Sequence, residues 1–245
     1  MSGTLESARG LVVRDLRITY PIDDREVEVV RGASFAVGDG ESVGLVGESG
    51  CGKSTLAAAI LGMIPPPGRR LSGSIRWDGE ELNTASESRW SRLRGAALAL
   101  APQEAASALD PLFSIGWQIA ETITAHRSRR EDGTAKTRSQ VAAEAQVWLD
   151  RVGLSSRRYS SYPHQLSGGQ LQRAALAVTL SAGPRLLIAD EPTTALDATL
   201  EVRLLDLLTE LRRDLGLSLL LITHDLGVVD RISERLLVMA DGEIV

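Results

Sequence analysis

The sequence predicts an α/β fold, with strands and helices alternating around a largely parallel sheet. Three observations carry this. Toward the C-terminal side, helical patterns over residues 170–182 and 198–215 are followed by apolar runs of strand length over 185–190 and 217–223, the alternation that builds a parallel sheet with helices packed on it. Near the N-terminal side, a glycine-rich stretch joins the apolar residues 43–46 to the Ala-rich residues 55–63, a strand–loop–helix junction. Between these regions, residues 104–165 read as a helical insertion.

Taken in order, residues 11–20 are rich in Val, Ile and Leu and read as a strand. Residues 34–37 and 41–46 read as two more, with Gly38, Asp39 and Gly40 as the turn between them. The helix expected over 55–63 stops before Pro65, Pro66, Pro67 and Gly68. Asp78 and Gly79 mark a tight turn between short strands within 74–82. Residues 127–140 are polar and read as an exposed connection. Val141, Ala145, Trp148, Leu149 and Val152 then follow helical spacing. Trp77, Trp90, Trp117 and Trp148 are expected to pack rather than to form a stacking platform.

Composition excludes several classes. The chain has 245 residues, enough for one core with an inserted subdomain. No apolar run approaches the ~20 residues that a membrane-spanning helix needs. Residues 1–10 are polar and have no secretory apolar core, so a cytosolic location is expected. The net charge of -5 gives no electrostatic footprint for nucleic acid. Cys51 is the single cysteine, which excludes intrachain disulfides and cysteine metal clusters. Lys53 and Lys136 are the only lysines in an arginine-dominated chain, so a flexible point charge at Lys53 stands out.

Gly47, Glu48, Ser49, Gly50, Cys51, Gly52, Lys53, Ser54 and Thr55 match G-x-x-x-x-G-K-[ST]. Glycines let backbone N–H groups close around phosphate oxygens without Cβ clashes, and the helix that follows presents its positive end to the anion. Lys53 is expected to reach the β- and γ-phosphates of a nucleoside triphosphate, most simply ATP, and the Ser54 hydroxyl to ligate Mg²⁺. A second signal is the apolar strand ending in Asp190 and Glu191. Asp190 is placed to hold Mg²⁺ through water, and Glu191 to act as the general base toward an attacking water.

Residues 166–170, which contain Ser167, Gly168, Gly169 and Gln170, closely resemble the signature of ATP-binding-cassette (ABC) ATPases. The ordered motifs of that family cover nearly the whole chain. The resemblance implies a phosphate-binding-loop NTPase fold with a mixed core sheet, an antiparallel β-subdomain and an inserted α-helical subdomain. The core would take residues 1–103 and 174–245, and the helical part 104–173. It further implies adenine stacking by Tyr20, metal and water sensing by Gln103, and a γ-phosphate contact from His224. Ala195, Leu196 and Asp197 look like the loop after the acidic pair, where Asp197 serves a dimer interface, caps the next helix, or both. The signature of one chain would close over ATP held by a second.

Glu48 and Ser49, residues 107–111 with Gln118 and Glu121, residues 162–165, and residues 191–197 are similar to those of oligopeptide, dipeptide and nickel import ATPases. Asp110 and Leu171 depart from that pattern. The resemblance implies a bacterial importer. Its partners would be a second, non-identical ATPase subunit (otherwise a second copy), two transmembrane permeases and, indirectly, an extracytoplasmic solute-binding protein. The chain would sit peripherally on the cytoplasmic face of the plasma membrane. The alternative is a non-transport ABC ATPase, such as a subunit of a carbon–phosphorus lyase-type complex.

Overall fold

The computed structural model describes residues 9–23, 25–101, 103–127, 135–194 and 196–245. The polar N-terminus through residue 8, residues 128–134 of the connection read over 127–140, and Ala195 lie outside the described residues.

Two sheets organise the chain. The first is antiparallel, in the order β2 (Arg25–Gly38), β1 (Gly10–Ile22), β4 (Arg69–Trp77), β5 (Glu80–Glu81). The second has the order β10 (Glu243–Ile244), β9 (Arg235–Ala240), β3 (Ser42–Val46), β8 (Ser218–Thr223), β7 (Leu186–Asp190), β6 (Leu98–Ala101). Its pairings are parallel except at β10. The Gly38–Gly40 turn therefore does not close a hairpin: it passes the chain from one sheet to the other, because β2 pairs with β1 and β3 with β8 and β9.

The parallel sheet is covered on both faces, and side-chain alternation divides it cleanly. Leu45, Ile188, Leu220 and Ile222 face the antiparallel sheet and α1 (Lys53–Ile60). Ala99, Leu187, Leu219 and Leu221 face the opposite core, which contains α4 (Ile115–Arg127), α5 (Arg138–Arg151), α6 (Gly168–Ser181) and α7 (Ala198–Leu215). Strands buried on both sides read as continuous apolar runs. Two further short helices, α2 (Glu87–Leu93) and α3 (Ala105–Ala108), flank β6, and α8 (Leu226–Ile232) follows β8.

α1 begins at Lys53 and ends at Ile60, two residues earlier at its start and three earlier at its end than the apolar run implied. The early start follows from Gly52 at φ 112°, which turns the chain directly into the helix. Trp77, Trp90 and Trp148 pack in the buried core, whereas Trp117 packs at the surface: it is 43% exposed and stacks on the exposed Phe113, with ring centroids 4.0 Å apart.

Candidate nucleotide site

The register of the parallel strands assembles the site. Val46 pairs with Thr223, Asp190 with Ile222, and Ala101 with Ala189. The loop after β3, the carboxylates at the end of β7, His224 after β8 and Gln103 after β6 thus emerge at one edge, where ligands of open α/β sheets bind.

Two glycines of the loop are required by the backbone itself. A Cβ at Gly47 would lie 2.2 Å from the Met239 carbonyl oxygen, and one at Gly52 would lie 2.5 Å from that of Val29. Lys53 is buried, and its ammonium donates to the carbonyls of Gly47 and Glu48, both at 2.8 Å. Cys51 is half-buried, its Sγ 3.8 Å from Lys53 Nζ. The cleft beside the loop is lined by Lys53, Ser54, Thr55, Gln103 and Glu191, with Val29 from the antiparallel sheet.

The two carboxylates differ sharply. Burial raises the pKa of Asp190 above its ordinary value, and the adjacent Glu191 charge adds to this. A hydrogen bond from Ser54 and the charge of Lys53 offset only part of it. Burial also acts to raise Glu191, but hydrogen bonds from Thr194 and His224, with the charges of His224 and Lys53, outweigh it, and its pKa is lowered. Thr194 Oγ1 donates to Glu191 Oε2 at 2.7 Å, Gln103 Nε2 donates to the same oxygen at 3.4 Å, and His224 Nδ1 lies 3.1 Å from Oε1. Glu191 itself sits at φ 47°, a strained conformation for a residue with a side chain.

The structure therefore brings together the loop 47–55, Asp190, Glu191, Gln103 and His224. It places the others elsewhere. Tyr20 pairs with Val27 across the hairpin, its ring covers the backbone of Gly68, and it is not among the residues lining the cleft. Ser167 is the N-cap residue of α6, its N–H bonded to Gln170 Oε1 at 3.2 Å. A side chain added at Gly168 would meet nothing, so this turn lies open. The residues 167–170 do not line the cleft at the loop. Asp197 caps α7, accepting from the N–H groups of Thr199 and Leu200 at 3.0 Å each. His126 and His164 are exposed, the first against Gly95 and the second stacked on Tyr162.

Three contributors went unread in the sequence. Thr194 carried a usable signal, a hydroxyl three residues after a carboxylate in a tight turn. Val29, from a distant strand, carried none. The third is Gln172, buried in α6, whose amide donates to the Pro192 carbonyl at 2.8 Å.

This geometry, a glycine loop opening a helix with paired carboxylates on a neighbouring strand, defines a nucleoside-triphosphate-binding α/β protein. Residues 30–194 match the ABC transporter family model. The chain is 44% identical over 96% of its length to the oligopeptide transport ATP-binding protein OppD of Mycobacterium tuberculosis, of which it covers 38%. It is 40% identical over 96% of its length to AmiE, an oligopeptide transport ATP-binding protein of Streptococcus pneumoniae, of which it covers 65%. Among solved structures, it superposes with a TM-score of 0.82 at 26% identity, covering 96% of both chains, on a dimeric ATP-binding cassette in a post-hydrolysis state bound to ADP and Pi. The chain belongs to the ABC transporter family, and its fold is that of the ABC ATPase cassettes.

Proposed function

We propose that this chain is the ATP-hydrolysing subunit of a bacterial importer of di- or oligopeptides or nickel-type solutes. The observation that carries the hydrolytic part is the convergence of three side chains on the Glu191 carboxylate beside the Lys53 loop. The peptide part rests on the relatives, which are named as oligopeptide transport ATP-binding proteins.

The loop N–H groups and Lys53 hold the phosphates. Ser54 and Asp190 form a hard-oxygen donor set that fits Mg²⁺. The half-buried, reluctantly ionised Asp190 is the kind of carboxylate that a cation relieves. When bound, the ion supplies neutralisation of the β- and γ-phosphate charge. Glu191, kept ionised, accepts a proton as the water oxygen bonds to the γ-phosphorus. The bond to the bridging oxygen breaks, and ADP and phosphate leave. Gln103 orients the water and reports to the helical region, and His224 holds the carboxylate on one side and faces the γ-phosphate on the other. Tyr20 supplies the adenine contact once its ring moves off Gly68. Residues 1–103 and 174–245 act as the nucleotide-binding core, and 104–173 as the arm facing the permeases.

Ser167, Gly168, Gly169 and Gln170 serve a nucleotide on a second cassette chain, with Asp197 at that junction. The assembly sits on the cytoplasmic membrane face, joined to two permeases. Among the described residues, no helix is long and apolar enough to cross a membrane.

Removing a general base costs ~10²–10⁴ in rate. Glu191→Gln should keep nucleotide affinity and lose turnover by that factor, read by radiolabelled ATP hydrolysis beside equilibrium nucleotide binding. Wild-type turnover in the variant would remove Glu191 from this role. Co-purification with membrane permeases tests the transport assignment, and recovery with soluble enzymes in their place would overturn it.

A further inference from the structure

The backbone at Glu191 poses a problem that the hydrolytic reading leaves open. The residue is held at φ 47° directly before Pro192, although a side-chain-bearing residue before proline is driven to extended conformations. Strain of this kind persists only where the surroundings fix it. Two anchors do so, one on each side. The Glu191 N–H donates to the Ile222 carbonyl of β8 at 2.8 Å. The Pro192 carbonyl accepts from the Gln172 side-chain amide, also at 2.8 Å, in a buried bond between residues twenty apart in sequence.

We infer that Gln172 is a positioning residue for Glu191, locking the carboxylate into line through the Pro192 carbonyl. Gln172 is 7% exposed, and burying a glutamine amide is unfavourable unless it is bonded. Its bond goes to the carbonyl of the residue that follows the proposed base and to no substrate group. It also lies on α6, the helix that opens at Ser167. The end of α6 proposed to meet a second chain's nucleotide is thus mechanically tied to this chain's own Glu191. The inference rests on the hydrolytic reading of Glu191.

The test uses four variants of this chain: Gln172→Leu, Gln172→Glu, Glu191→Gln, and Gln172→Leu combined with Glu191→Gln. Misplacing a reacting group by about 1 Å costs on the order of 10²-fold in rate. Gln172→Leu should therefore lower kcat by about 10- to 100-fold while the KM for ATP stays within about twofold. Added to Glu191→Gln it should change the residual rate by less than about threefold, because groups acting as one unit are not additive. Gln172→Glu can donate to the Pro192 carbonyl only when protonated, which burial favours. Its rate relative to wild type should therefore rise as pH falls from about 8 to about 6.

Wild-type kcat in Gln172→Leu, or an equal loss with and without Glu191, would overturn the inference. If Gln172→Leu fails to fold, the Gln172→Glu profile decides, and a pH-independent ratio is the overturning result. Normal turnover in Glu191→Gln alone is a separate outcome, which sinks the hydrolytic reading itself.

Discussion

Two adjacent carboxylates, Asp190 and Glu191, are given opposite character by their surroundings. Asp190 is half-buried at the end of β7 and its pKa is raised, while Glu191 collects hydrogen bonds and its pKa is lowered. Groups that bond to the ionised form stabilise it. The depressed value of Glu191 means that this contribution to folding is fully present above the unfolded-state pKa, and is lost as pH falls through the lower folded-state value. The same shift keeps the proposed base ionised into acid. Thr194→Val removes one donor and leaves the burial in place, so the Glu191 pKa should rise. The acidic limb of the kcat–pH profile should move to higher pH, with the limb retained in place by Thr194→Ser. An unmoved limb in Thr194→Val would show that Thr194 does not tune the base. The motif residues of this site were legible because phosphate chemistry dictates them: the glycines of the loop, Lys53 and the paired carboxylates have few substitutes. Gln172 was not legible, since it reaches the turn at Pro192 from α6, twenty residues away in sequence.

At the level of elements, legibility followed how far local chemistry agreed with the final packing. α7 was readable at both ends. Asp197 supplies the N-terminal cap and Gly216, at φ 62°, the C-terminal turn, and Leu204, Leu208 and Leu211 repeat on its buried face. β7 and β8 were readable as apolar runs, buried throughout except at Asp190. β6 was not: its residues, Leu98 to Ala101, are strong helix formers placed in a strand by pairing with β7. The first half of β2 was missed although Glu26, Val27, Glu28 and Val29 alternate, because its first five residues bury no full apolar face and its register comes from β1. β9 has mostly exposed side chains and lacks a period-two pattern. The cap of α7 is directly testable. Asp197→Ala leaves two N–H groups without their acceptor and should cost about 1 kcal/mol in urea unfolding. Asp197→Asn, which keeps an acceptor, should cost much less. A loss of activity in Asp197→Asn at full stability would place Asp197 in the interface as well as in the cap.

For the molecule as a whole, the decisive fact is that one chain carries two helix N-termini suited to phosphate and keeps them apart. α1 opens on the Lys53 loop beside Glu191, whereas α6 opens at Ser167 on an exposed turn that does not line that cleft. Two such elements acting on one triphosphate require a second chain, and the similar solved cassette is a dimer. In a head-to-tail pair, each site takes its loop and base from one chain and its signature from the other. This has a consequence that no single-chain site shares. Ser167→Arg disables the signature, Glu191→Gln disables the base, and each variant alone should form pairs with two defective sites. When the two are mixed, half-exchanged pairs contain one site with neither change: the intact loop and base of the Ser167→Arg chain facing the intact signature of the Glu191→Gln chain. ATPase activity should therefore reappear on mixing two inactive proteins, and should rise with time as subunits exchange. If each site were complete within its own chain, mixing would restore nothing, because every chain present would still carry one broken part.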